Sequence, residues 1–155
     1  MHPVGLVVDV SAIGIFTAAV DILKSAVPEA MVLAGIPKTV TGAAIVLYAW
    51  HDGSTDLIKT TGATIQRTHL IQMRLLIQVA ADEQQAEVTL LDLHDRICGA
   101  FYQGHTLEGA AATCTLRQRD GVGGGLPAYM LDQGAEYRQR GWSLDAIEYL
   151  SQTLT

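Results

Sequence analysis

Residues 68–79 alternate with a period of two. Ile71, Met73, Leu75, Ile77 and Val79 fall on one side, Gln72, Arg74 and Gln78 on the other, and Leu76 is the one exception. Successive side chains of a strand point to opposite faces, so this stretch reads as a half-buried β-strand of unusual length. Such a strand belongs at the centre of a sheet or in a curved one. Whatever else the chain forms must therefore supply partners for both edges of that strand and a cover for its apolar side.

The cover comes from two helical patterns. In residues 11–27 Ile13, Phe16, Ala19, Val20, Leu23 and Val27 recur at spacings of three and four, which gives one apolar stripe on a helix. Asp9 or Ser11 can cap its start, and Pro28 ends it by disfavouring helical geometry at Val27. A second helix opens at Asp82, with Gln85 placed for a capping box. Its core stripe is Ala86, Leu90, Leu93, Ile97, Ala100 and Phe101, and Gly104 is a natural stop. Further strands are expected at 43–50, an apolar run ending in the turn signal His51-Asp52-Gly53-Ser54, and at 112–119, where Ala112, Cys114 and Leu116 alternate with Thr113, Thr115 and Arg117. The final segment fits two patterns. Trp142, Leu144, Ala146 and Leu150 suit a strand, whereas Leu144, Ile147, Leu150 and Leu154 suit a helix. The expected fold is α+β, a mostly antiparallel four-stranded sheet with two helices packed on one face in the order αββαββ.

At 155 residues the chain has the size of one domain, 1–155,. Charged residues are 17% and apolar residues 49% of it, against a usual charged share of about 25%. So few charges on a small domain imply that part of its exterior is hidden against partners, most simply copies of itself. The net charge of −6 opposes a general grip on nucleic acid, which needs a dense basic face,. The apolar N-terminal stretch lacks a basic leader and is interrupted by Asp9, Asp21, Lys24 and Glu29. Its longest uncharged run, residues 10–20, is far short of a bilayer span, so neither a signal peptide nor a membrane anchor is expected,.

Signatures of chemistry were tested in turn. Gly123, Gly125 and Ala128 match G-x-G-x-x-A formally, but polar Arg117-Gln118-Arg119-Asp120 precedes them and Pro127 interrupts them, so no strand-to-helix cradle for a pyrophosphate is expected,. The segment Gly121-Val122-Gly123-Gly124-Gly125 reads instead as a projecting loop. The five histidines show no metal-ligand spacing. His94, between Asp92 and Asp95, and His51, beside Asp52, are expected in solvated or capping roles. Cys98 and Cys114 have no C-x-x-C spacing and read as buried thiols. Gly141-Trp142-Ser143-Leu144-Asp145 departs from the nucleophile elbow at its last position. No catalytic residue, metal site or cofactor is expected. Tyr137, Trp142 and Tyr149 can serve the core or, as aromatic residues often do, a protein contact. Arg138 and Arg140 flank Trp142, so that segment and Gly121, Gly123 and Gly125 are the candidate subunit surfaces.

The layout resembles the tail terminator, or tail-completion, proteins of long-tailed bacteriophages, of the lambda-like minor tail protein type. The likeness lies in the N-terminal helix ending at Val27-Pro28, the two strands after it, and the helix Leu90-Leu91-Asp92-Leu93-His94-Asp95-Arg96-Ile97. It extends to the aromatic segment Glu136-Tyr137-Arg138-Gln139-Arg140-Gly141-Trp142-Ser143-Leu144. The resemblance implies a non-enzymatic virion protein forming a hexameric ring at the head-proximal end of the tail. Its partners would be the tail tube protein and a head-closure or neck protein, with DNA passing through the lumen without specific binding. It also implies that the final segment is a strand and that the glycine loop makes ring or neck contacts. Another head–tail connector or neck protein, and a small ligand-binding or enzymatic domain, are the alternative expectations.

Overall fold

A computed structural model describes residues 4–38, 43–58, 64–79, 82–118, 128–132 and 135–151. The chain is α+β. Its elements are α1 (Val4–Ala26), β1 (Met31–Ala34), β2 (Ile45–Ile58), β3 (Thr64–Gln78), α2 (Glu83–Gln103), a single 3-10 turn (Leu107–Gly109), β4 (Thr113–Gln118), β5 (Ala128–Asp132) and β6 (Ala135–Ser151). No helix among the described residues is long and apolar enough to cross a membrane.

The sheet has six strands, along the path β1-β2-β3-β6-β4, with β5 also on β6. β3 lies at its centre, as its length required, between β2 and β6 in fully antiparallel ladders. Two strands exceed the expected four. β1 is a four-residue edge strand running parallel to β2, which makes the sheet mixed. β5 continues the line of β4: β4 pairs residues 142–147 of β6, and β5 pairs residues 135–139 of the same edge. The final segment is a strand from Ala135 to Ser151.

Both helices cover one face. Ile71, Met73, Leu75 and Ile77 of β3, Leu47 and Ala49 of β2, and Trp142, Leu144 and Ala146 of β6 form one cluster with Ile15, Ala19, Leu23, Leu90, Leu93, Ile97 and Phe101. The opposite face carries a smaller buried cluster, Val46, Tyr48, Leu76 and Tyr137, with Leu33 and Trp50 packed against it. Leu76, the exception to the alternation of β3, is thus a core residue of the second face.

Local physics explains the boundaries. The Asp82 side chain accepts from the amides of Gln84 and Gln85, so two orphan donors of α2 are satisfied,. The buried residues of α2 are Ala86, Leu90, Leu93, Ile97 and Phe101. In α1 the stripe is rotated from the expected one: Ile13 is 68% exposed, while Ile15 and Ile22 join Ala19, Val20 and Leu23 in the core. The turn expected at residues 51–54 is a bulge inside β2. Pairing passes from His51 opposite Ile71 to Ser54 opposite His69, and Gly53 takes the φ of +109° that the extra residue requires,.

Candidate functional site

β2 leaves the core after Trp50. Residues 51–58 are exposed throughout while remaining paired to β3, so this half of the strand forms an arm. It ends in Leu57 and Ile58, 55% and 65% exposed. Asp56 and Arg67 lock the arm's register with a two-pronged pair at 2.6 and 2.8 Å, and the guanidinium holds the Asp56 carboxyl below its ordinary range,. A second apolar set lies on the outward side of α2. Val88, Leu91 and Tyr102 are exposed and, at spacings of three and eleven residues, share one helix face,.

At the base of the arm three titratable side chains form a chain across β2, β3 and β6. His51 Nε2 lies 3.0 Å from His69 Nδ1, and His69 Nε2 lies 2.9 Å from Glu148 Oε1. His69 and Glu148 are buried, and His51 reaches the surface. The Gly53 amide, 3.3 Å from His51 Nδ1, sets the direction of the chain. Because that amide donates, His51 Nδ1 accepts, and its ring proton sits on Nε2 and is donated to His69 Nδ1. The His69 proton is then on Nε2 and is donated to the Glu148 carboxylate. Every polar atom along this path has a partner with both imidazoles neutral. Burial, then the neighbouring His69, depress the His51 pKa, and Asp52 opposes them,.

The residues singled out from sequence have other places. Trp142 is 1% exposed and stacks on His94 at 5.6 Å between ring centroids, so it is a core anchor and offers no surface to a second chain. Arg138 faces α2 and pairs with Glu87, and Arg140 lies on the same side of β6, half-buried. The two arginines are therefore directed to α2 within the chain. Of that aromatic segment Tyr149 is the exposed member, at 56%. Gly121, Gly123 and Gly125 lie outside the described residues.

The thiols are free. Burial raises the pKa of Cys98, which lies 3.7 Å from His94 Nε2, and pushes Cys114 up to about 11. Neither is an activated nucleophile. Asp92 pairs with Arg96. Among the described residues no group of three or more His, Cys, Asp or Glu side chains converges as a metal site. Two grooves of about 430 and 410 Å³ are lined by Ile45, Ile77, Gln85 and Thr89 and by Ile22, Ala26, Ala100 and Gln103. Neither contains the histidine chain.

Sequence reading missed that chain. One signal was present: His69 shares the odd-numbered face of β3 with Ile71, Met73, Leu75 and Ile77, and a polar residue on a core face needs a partner,. No protein-family model matches this sequence, and no curated protein matches it.

Proposed function

We propose that this protein is a structural ring subunit of the tail-terminator type, closing the head-proximal end of a phage tail tube and presenting a surface to the neck. A closed ring of identical copies uses heterologous contacts, so each subunit must carry two different complementary patches. The observation that carries the proposal is the presence of exposed apolar side chains on two unrelated elements: Leu57 and Ile58 on opposite faces of the arm's end, and Val88, Leu91 and Tyr102 on one face of α2,. The net charge of −6 supports a lumen through which DNA slides without adhering,.

Light scattering on a sizing column, followed by negative-stain imaging, tests the reading. A closed hexameric ring, formed alone or on tail tubes and lost in Leu57→Asp, is the expected outcome. A monomer or dimer that ignores tubes would sink it. Another head–tail connector of the neck is the nearest rival; it predicts rings that bind the head side and leave tubes uncapped. The histidine chain is the observation favouring a ligand-binding or enzymatic domain. A metabolite retained in native mass spectrometry, and lost in His51→Gln, would favour that reading.

A further inference from the structure

The histidine chain sits where β2 leaves the core. His51 precedes the bulge, Gly53 is the bulge residue with positive φ, and His69 stands opposite Ser54, the first residue beyond it. The same three hydrogen bonds therefore tie the bulge to β3 and, through Glu148, to β6.

We propose that His51, His69 and Glu148 form a proton-operated latch, closed when both imidazoles are neutral and released at the Gly53 bulge when His51 takes up a proton. In the neutral chain each ring nitrogen has one role, and no two donors face each other. A proton added at His69 Nδ1 would confront the His51 Nε2 proton across 3.0 Å, a clash relieved only when His51 moves that proton to its own Nδ1, beside the Gly53 amide,. A proton added at His51 Nδ1 would confront only the Gly53 amide across 3.3 Å, at the exposed end. His51 also has Asp52 beside it to offset the new charge. The inner links survive that change, since a cationic His51 still donates to His69 and His69 to the carboxylate. The link that fails is the outermost one, and it is the one that pins the bulge.

Among the described residues the other charged groups around the pair are Asp52 and Asp56 on β2 and Arg67 on β3, which stands opposite Glu148 in the ladder. Arg67 keeps Asp56 ionised through the range in which histidines titrate, so Asp56 does not contribute to the change,. The consequence is an arm whose anchorage weakens between neutral and mildly acidic pH. Only the further step, a pH-dependent assembly through Leu57 and Ile58, rests on the ring reading.

The test uses the full chain at concentrations where it is dispersed. Imidazole nitrogen spectra at about pH 7.5 should show both rings protonated on Nε2, and acidification should bring a proton to His51 Nδ1. Amide exchange at Gly53 and along residues 54–58, corrected for its intrinsic pH dependence, should accelerate severalfold between about pH 7.5 and 5.5. His51→Gln retains a side-chain N–H for His69 Nδ1 and removes the His51 proton site, so its arm exchange should respond less to pH. A proton on His69 Nδ1 at about pH 7.5, a wild-type arm insensitive to pH, or an unchanged response in His51→Gln would each overturn the latch. None of these readouts involves ring formation, so failure of the ring proposal would leave them intact.

Discussion

Trp142→Ala separates the core account of the C-terminal segment from the interface account. Trp142 lies on the helix-covered face of β6, opposite Met73 of β3 and Gln118 of β4, with His94 of α2 stacked above it. At 1% exposure it is the largest fully buried side chain, so truncation removes contacts from three elements at once and leaves a void that packed strands cannot close. Truncating a buried aromatic to Ala costs about 3–5 kcal/mol, cavity term included. Losing the ring stack accounts for roughly 0.5–1.5 kcal/mol of interaction beyond area burial. A loss of about 4 kcal/mol is a large share of the 5–15 kcal/mol by which domains are stable. With a urea slope of about 2 kcal/mol/M, the midpoint should fall by about 2 M at unchanged slope. Circular dichroism of dilute protein, at a concentration where assembly does not contribute, gives this directly. Trp142→Phe, which keeps a ring over the same site, should lose less than half as much. A midpoint within about 0.5 M of wild type, with assembly abolished, would refute the core assignment and make Trp142 a contact residue.

Glu148→Ala should cost about 1–3 kcal/mol, because it leaves the His69 Nε2 proton buried without an acceptor, and Glu148→Gln should restore most of it through the amide oxygen; chemical denaturation reads both,. Gly53→Ala meets no neighbouring atom, so its cost of about 1 kcal/mol or more would come from the +109° φ alone and should appear in the same denaturation curves,. The pKa of His51 is depressed in the folded chain, so its contribution is fully present above the ordinary histidine value of about 6.5 and is lost as pH falls from there through the lowered folded value,. Denaturation midpoints should therefore drop across that window in wild type and less in His51→Gln. Arg96 binds Glu29 at 3.1 and 2.6 Å and Asp92 at 3.3 Å on the surface between α2 and the end of α1, so Arg96→Ala should weaken thermal stability slightly, and less at high salt,.

The elements most legible in the sequence were those whose cause is local. α2 carries its own cap at Asp82 and a stripe at helical spacing, and its five buried residues were all named from that spacing. β3 was legible because its alternation is long. α1 was legible as a helix but not in its phase: it is apolar on nearly every side, so a stripe through Ile13 reads as well as one through Ile15. Asp52-Gly53-Ser54 is as good a turn as a bulge, and pairing to β3, which the local residues do not encode, decides between them. β6 fitted helix and strand equally until the open edge of β3 claimed it. The histidine chain needed that same long-range step, since Glu148 lies 79 positions from His69. Arg138 and Trp142 were noticed for their type, but the parity that turns them toward α2 followed only from the register of β6.

β6 touches β3 along its whole length and carries both β4 and β5 on its other edge, yet it is the last described element of the chain. During synthesis β1, β2, β3 and both helices emerge first, and until Ser151 has left the ribosome β3 shows a bare edge. Ile71, Met73, Leu75 and Ile77 are then only partly covered, because Trp142, Leu144 and Ala146 have not arrived. The nascent protein is consequently slow to close, being dominated by distant pairings, and most exposed to strand-to-strand association with its neighbours on the same message. A chain released before β6 would have no route to the native sheet except by borrowing that strand from another copy.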